Sequence, residues 1–420
     1  MPVASQRART RGDELRRILD EGLLRAVYQP LVELDGGALI GFEALARGPE
    51  GSEFELPEQL LAAADESGLT VELEWACRAA AVRGALAGGL RPPLRLFLNV
   101  EPNLTGTPIP PELRDLFARA ARELSIVVEF TERALADRPA DVLAAVPRLR
   151  ELGWGVAVDD VGLDWRSLAL MPFLDPDVIK LDKHLVQQPL GPGRAAIVHA
   201  VSAQAERSGA FVLAEGIEND AHVEVARALG ARYGQGWHFG HPGRLPSLVV
   251  RRTERIVPDA VLQGPAAATP YGVLSAHQQP RRGTKRLLYA ISRHLETHLD
   301  SRADAAVLLS SFQKAQHFTP LTAARYARLA RGAALVGALG AGISSEPAPG
   351  VRGAHLAAAE ALRGEWNVIV LDPHFAAAFS ASDLGDEGDE DARRFDFCMT
   401  YDREVVIAAA RTLMTRIASR

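Results

Sequence analysis

Cysteine is nearly absent: Cys77 and Cys398 stand far apart in a chain of 420 residues and form no CxxC pair. That argues against a disulfide framework or a thiolate zinc site and fits a reducing compartment. A basic excess is also missing, since 47 Lys and Arg face 53 Asp and Glu, for a net charge of −6. Coating nucleic acid requires such an excess, so no direct nucleic-acid partner is expected. Lysine itself is scarce, with four residues (Lys180, Lys183, Lys285 and Lys314) beside 43 arginines, so a lysine at a site carries information. Long apolar runs are lacking. The longest weakly polar stretch, Ala333 to Ile343, falls short of the roughly 20 residues a bilayer demands. The opening MPVASQRARTRGDELRR is basic with no apolar run behind it, unlike a secretory signal. A cytoplasmic protein without a membrane partner is the expectation. The chain is 47% apolar and 24% charged, the balance of a globular protein, and its length suggests two or three domains.

From Val27 to Gly240 short apolar or β-branched runs alternate with helical patterns. The runs are VYQPLV from Val27, LIGFEAL from Leu39, LRLFLNV from Leu94, IVVEFTE from Ile126, GVAVDD from Gly155, DVIKLD from Asp177, AFVLAE from Ala210, and a weaker one near Tyr233. Amphipathic stretches such as PEQLLAAADESG from Pro57 separate them, opened by Pro and closed by Gly or Ser. Strands apolar on both faces and separated by helices indicate a covered parallel sheet. Eight such runs suit an α/β fold, a closed (β/α)8 barrel of the TIM type. An open doubly wound sheet is the rival, but no GxGxxG follows the first strand.

Pro and Gly crowd the stretch from Pro242 to Gly283, which reads as a connector. A smaller α/β pattern follows, with runs from Ala305, Ala333, Trp366 and Arg394 and helices over Pro320–Arg331 and Arg403–Ile417. The expected division is a tail over 1–19, a barrel over 20–245, a connector over 246–285 and a second domain over 286–420. The acidic run from Asp386 reads as a solvated loop.

The sharpest signal is positional. Strand runs end in Glu43, Asn99, Glu129, the pair Asp159–Asp160 and Glu215, and Lys180 stands near the end of another. Asn99 to Glu129 and Glu129 to Asp159 are both separations of 30 residues, about one β/α unit. In a barrel these side chains converge on the C-terminal face, where barrel active sites are built. One carboxylate at a strand end is ordinarily a helix cap or a loop residue; six strand ends in agreement are not. Like charges gathered so closely oppose one another's ionisation unless cations intervene. An all-oxygen set of Glu43, Asn99, Glu129, Asp159 and Asp160 selects Mg²⁺ or Mn²⁺ over zinc. The adjacent aspartates suit two ions with Asp159 bridging, an arrangement that activates water and steadies a phosphodiester's leaving oxygen.

On these residues the stretch from about 20 to 245 resembles the EAL-type cyclic di-GMP phosphodiesterase domain. Glu43–Ala44–Leu45 with Arg47 matches the signature tripeptide and its arginine. FLNV with Asn99, VEFTE with Glu129 and Glu132, DDVG, IKLD with Lys180, AEGIE with Glu215 and Glu218, and YGQGWHFGHP with Gln235 follow in family order. The resemblance implies hydrolysis of cyclic di-GMP to linear pGpG with two Mg²⁺ or Mn²⁺ ions. It implies that Glu43, Asn99, Glu129 and Asp159 hold the first ion, with Asp159, Asp160 and Glu215 near the second. Lys180 would hold the attacking water, with Asp160 and Glu215 beside it in the catalytic set. Arg47 would contact phosphate, Gln29 and Gln235 would line the substrate pocket, and Glu132 and Glu218 would anchor loops. A homodimer through this domain is implied as well. Where the family runs Phe-Gly-Thr-Gly-Tyr-Ser-Ser after the paired aspartates, this chain has Val161–Gly162–Leu163–Asp164–Trp165–Arg166–Ser167. A lost Gly and Thr there would weaken metal retention, turnover or dimer coupling. A silent cyclic di-GMP receptor is therefore the competing reading; a metal phosphodiesterase of other nucleotides is a third.

Residues 286–420 resemble the DICT sensory domain, through SSFQKAQHFTP from Ser310, GEWNVIVLDPHFAAAF from Gly364 and RRFDFCMTYDREVVIAAARTLM from Arg393. This implies a regulatory role. His317, His355 and His374 are scattered and read as structural, and Phe312, Phe318, Trp366 and Phe395 read as core. No GGDEF-like motif occurs, so synthesis of cyclic di-GMP is not expected.

Overall fold

Every apolar run expected as a strand in the first half of the chain forms one. In the computed structural model, which describes residues 2–101, 108–163, 165–189, 192–246, 269–299, 305–386 and 389–417, eight strands close into a barrel. They are β1 (Arg25–Glu33), β2 (Leu39–Arg47), β3 (Arg95–Asn99), β4 (Ser125–Thr131), β5 (Gly155–Val161), β6 (Val178–Leu181), β7 (Phe211–Ala214) and β8 (Tyr233–Gln235). Strands β2 to β8 run parallel, but β1 pairs antiparallel with both β2 and β8. No helix separates β1 from β2; the short connection around Gly37 turns the chain back as a hairpin.

The barrel interior explains where polar side chains collect. Leu31, Ile40, Phe97, Val127, Ala157, Val178, Leu213 and Tyr233 form one buried apolar layer, one residue from each strand. Side chains alternate along a strand, so the residue two positions on faces the same interior. From Phe97, Val127, Ala157, Val178, Leu213 and Tyr233 that residue is Asn99, Glu129, Asp159, Lys180, Glu215 and Gln235. On reversed β1 it lies two positions earlier than Leu31, at Gln29. An apolar plug thus carries a polar layer above it.

The first residues are not a tail. A helix over Pro2–Asp20 buries Leu15 and Ile18 against Phe54, Leu60, Ala63 and Ala64, the last three on the helix Pro57–Ser67. Arg11 reinforces the contact through Glu53 at 2.9 Å.

The second domain is a seven-stranded mixed sheet. Its strands are β9 (Arg281–Thr284), β10 (Val307–Lys314), β11 (Leu335–Ala341), β12 (Arg352–His355), β13 (Glu365–Leu371), β14 (Ala376–Asp383) and β15 (Arg394–Thr400). They lie in the order β12-β11-β10-β13-β14-β15-β9. The alanine-rich β14 was not foreseen; pairing with β13 and β15 overrides alanine's helical preference. The expected connector also needs correction. Its residues 247–268 lie outside the described residues, but the helix Pro270–His277 packs on the helix Arg403–Met414, and β9 completes the sheet. Phe312 and Phe318 meet edge to face at 5.2 Å, and Trp366 packs on Phe379 and Phe395, as expected of core residues. His355 accepts the Gly342 amide at 2.9 Å, a structural role. The two domains share one buried apolar cluster, which runs from Leu168–Leu174 of the barrel to Val405, Val406 and Leu413.

One backbone position carries the mouth of the barrel. Gly236, directly after Gln235, has φ +157°, and a Cβ there would stand 2.0 Å from the Ile217 carbonyl oxygen. Gly236→Ala must displace the turn that holds Gln235. The expected result is destabilisation on the order of 2 kcal/mol or more, read as a lower midpoint in chemical denaturation.

Candidate active site

The polar layer gathers around one cation. Lys180 is completely buried, and its Nζ lies 2.7 Å from Glu129, 2.8 Å from Glu215, 3.0 Å from Asp159 and 3.6 Å from Glu43. Glu43 is held from two sides: Asn99 Nδ2 donates to its Oε1 at 2.8 Å and Gln235 Nε2 to its Oε2 at 2.6 Å. The Gln235 amide also donates to Gln29 Oε1 at 3.1 Å, and Gln29 in turn donates to the Gly240 carbonyl. The side chains of β1, β2, β3 and β8 are therefore laced together across the barrel mouth.

Adjacent strand residues normally face opposite ways, yet Asp159 and Asp160 both enter the site. The reason is a bulge. The pairing of β5 with β6 slips between Val158 and Val161, and Asp160 adopts the left-handed region at φ +57°. Aspartate tolerates that conformation better than most residues. Two groups of carboxylate oxygens result, each within 4.8 Å: Glu43, Glu129 and Asp159, and Asp159, Asp160 and Glu215. Asp159 belongs to both.

Electrostatics show what such a cage lacks. Burial pushes Glu129 well above the ordinary carboxylate range, and Glu43 and Asp159 add to the effect while Lys180 opposes it. Burial likewise lifts Glu215 to about 8 and Asp160 to about 6, with Asp159 contributing to both. Glu43 differs: burial works against its charge, but Lys180 and the amides of Gln235 and Asn99 hold it below its usual value. For Lys180 burial favours loss of the proton, yet Asp159, Glu129, Glu215 and Glu43 together hold it well above its usual value. Five carboxylates face one ammonium, and Glu129 Oε2 is buried with no hydrogen-bond donor among the described residues. An orphaned carboxylate oxygen in a cage short of positive charge, with only oxygen donors, fits hard divalent cations. Glu43, Asn99, Glu129 and Asp159 could hold one, and Asp159, Asp160 and Glu215 another.

The remaining expected residues lie farther out. Arg47 ends β2, half-buried, with its guanidinium donating to the Ala46 carbonyl at 2.7 Å. Glu218 is exposed and accepts from Gln187 Nε2 at 3.2 Å, which ties the turn after β7 to the short helix after β6. Glu132 opens the helix Glu132–Asp137, but its side chain lies outside the described residues, as do residue 164 and the side chains of Trp165, Arg166 and Ser167. Of the altered loop, Gly162 is at φ +120° and Leu163 is exposed.

Two features were not read from the sequence. A cavity of about 250 Å³ adjoins Asn99 and Glu129 and is walled by the helix Thr70–Ala87, including Leu73, Glu74, Cys77 and Arg78. The Glu74–Arg78 ion pair at 3.2 Å, spaced i,i+4 on an alanine-rich helix, was the available signal. Burial raises the Cys77 thiol to about 12, so it is inert as a nucleophile. The other feature is exposed Trp237, stacked on His241 at 5.1 Å just beyond Gln235.

Comparison with known proteins agrees with this geometry. The family model described as EAL domain matches residues 12–242, more than half of the chain. The model described as sensory domain in diguanylate cyclases and two-component systems, DICT, matches residues 272–384. Cyclic di-GMP phosphodiesterase RocR of Pseudomonas aeruginosa is 34% identical over 235 residues, covering 54% of this chain and 59% of that protein. Probable cyclic di-GMP phosphodiesterase PdeB of Escherichia coli K12 is 33% identical over 217 residues, covering 50% and 41%. The chain thus spans less than two thirds of the length of these curated relatives. The solved structure of EAL enzyme Bd1971 in its cAMP-bound form shares the fold, at TM-score 0.50 and 22% identity, covering 58% of this chain and 69% of that one. With carboxylates, an asparagine and a lysine brought together at the mouth of its barrel, this chain belongs to the EAL domain family and carries a DICT domain behind it.

Proposed function

We propose that this protein hydrolyses cyclic di-GMP to linear pGpG, using two Mg²⁺ or Mn²⁺ ions, under the control of its C-terminal domain. The observation that carries this reading is the pair of carboxylate groups sharing Asp159 around the buried Lys180. The printed names of the relatives RocR and PdeB support the substrate.

The chain's own residues divide the work. Bound ions would supply Lewis-acid stabilisation of the charge that develops on the phosphodiester. Lys180 is held by Glu129, Asp159 and Glu215, and a compact ammonium so restrained can aim a donor at the attacking water. Glu215, 2.8 Å from Lys180 Nζ, and Asp160, in the same group of carboxylate oxygens, complete the catalytic set beside that water. Gln29 and Gln235 fix the pocket wall at the β1–β8 seam, and Arg47 stands at the rim, where a guanidinium can grip a phosphate. The barrel acts with the helix Pro2–Asp20 packed on it, and the C-terminal domain extends from the helix Pro270–His277 onward.

The first test is substitution of two candidate ligands, one of them the shared Asp159. Glu43→Gln and Asp159→Asn keep shape but remove charge from an oxygen donor, so turnover should fall by about 10²-fold or more. Separation of cyclic di-GMP from pGpG by chromatography reads the result, and parental turnover in either variant refutes the site. Should the parent protein bind cyclic di-GMP yet form no pGpG at millimolar Mn²⁺, the altered loop after Asp160 has made it a receptor.

Lys180→Arg provides an independent test. The charge is kept, but a planar fork replaces a point donor in a fully enclosed position, so turnover should drop by about 10²-fold. Affinity for cyclic di-GMP, measured calorimetrically with Ca²⁺ in place of Mn²⁺, should stay near the parent's. Equal rates for Lys180→Arg and the parent make Lys180 a bystander.

A further inference from the structure

Two of the carboxylate-bearing strands leave the site through very short helices. β4, with Glu129, runs into the six-residue helix Glu132–Asp137, whose first turn is capped by Thr131 Oγ1 accepting from the Ala134 amide at 3.2 Å. β5, with Asp159 and Asp160, runs through the turn Trp165–Leu170 into the four-residue helix Met171–Leu174. The helix Glu132–Asp137 and the helix Met171–Leu174 both pack against that turn. Helices so short have no stability of their own and need outside partners for their last carbonyls.

Both sets of carbonyls are met by arginines of the C-terminal domain. Arg352, on the edge strand β12 and only 6% exposed, donates from Nη1 to the Ala136 carbonyl at 2.6 Å and from Nη2 to the Asp137 carbonyl at 3.0 Å. Arg411, on the helix Arg403–Met414, donates from Nη2 to the Phe173 carbonyl at 2.9 Å and the Pro172 carbonyl at 3.4 Å. A guanidinium at a helix C-terminus satisfies orphan acceptors and complements the negative end of the helix dipole. The apolar cluster continuous across the same surface packs the arrangement from beneath.

We infer that Arg352 and Arg411 are positioning residues: by capping these two helices, the docked C-terminal domain holds the backbone of residues 165–174, downstream of Asp160, in its metal-competent place. The inference rests on the proposed reading of the carboxylates as metal ligands. It makes the C-terminal domain a switch acting in cis. Any signal that lifts β12 and the helix Arg403–Met414 from the barrel withdraws both caps, and the loop loses its support.

The experiment uses the full chain with Mn²⁺ and two readouts. Arg352→Gln and Arg411→Gln should each raise the Mn²⁺ concentration giving half-maximal hydrolysis by about 5-fold or more, with the rate at saturating Mn²⁺ within about twofold of the parent's. Arg352→Lys, which restores the cation, should recover part of the shift. Arg282→Gln, an exposed residue of the same domain paired with Asp396, should leave it unchanged. The second readout, hydrogen exchange, needs no activity. Residues 165–174 should exchange faster in both glutamine variants, and in the parent Mn²⁺ should slow exchange across residues 403–414, because coupling between two sites is reciprocal. If the parent hydrolyses nothing, the proposed activity fails while exchange still tests the coupling. If the variants do not fold, the parent's response to Mn²⁺ decides. Unchanged exchange in residues 165–174 of folded variants, or no Mn²⁺ effect across residues 403–414, overturns the inference.

Discussion

Five carboxylates crowded around a single buried ammonium are the constraint on which the rest of this molecule depends. Like charges in a low-dielectric enclosure oppose one another's ionisation, and burial adds to the cost. The raised proton affinities of Glu129, Glu215 and Asp160 are the direct expression of that conflict. A chain does not hold such a group together by local preference. It takes a closed barrel with a filled interior, in which all eight strands place one apolar side chain below and seven of them place a polar one two positions away above it. The plug of Leu31, Phe97, Val127 and their neighbours fixes the height at which Glu129, Asp159 and Lys180 meet.

Within that frame the site is asymmetric, and the asymmetry has chemical content. On the β1–β2–β3–β8 side, Glu43 is wrapped by the amides of Asn99 and Gln235 and keeps its charge. On the β4–β7 side, Glu129 and Glu215 lean among the described residues on Lys180, and their charge is the harder to maintain. The bulge at Asp160 belongs to the second side. It brings an extra carboxylate into the cluster and also marks the point where the barrel passes into the segment that the C-terminal domain covers. The least settled part of the electrostatics therefore adjoins the part of the barrel held from outside.

The barrel, the metal-competent residue types at its strand ends and the identity of both domains were legible because each rests on short-range pattern. Alternation of apolar and polar residues, Pro and Gly punctuation, and motif spacing all survive in one dimension. Four things were not legible, the first being the reversal of β1 against the parallel strands. The helix over Pro2–Asp20 looked like a polar tail, because among its described side chains Leu15, Ile18 and Leu19 carry its buried face. The helix Pro270–His277 and β9 sat in a Pro- and Gly-rich stretch that reads as a connector, and the alanines of β14 favour helix when considered alone. In each case a partner element elsewhere in the chain, rather than local preference, selects the structure.

The sequence by itself determined which side chains could ligate hard cations and that strand ends would carry them, since the residue types and the 30-residue spacing of Asn99, Glu129 and Asp159 are one-dimensional facts. Only the tertiary structure decided that Lys180 touches four carboxylates and that Asp160 turns inward through a left-handed backbone. It also decided that arginines more than 200 positions away, Arg352 and Arg411, close the helices beside the site. The physical reason is common to all of these. Ligand chemistry belongs to single residues, whereas charge balance, bulges and caps depend on atoms brought within hydrogen-bond distance by folding, and sequence separation carries no information about that distance.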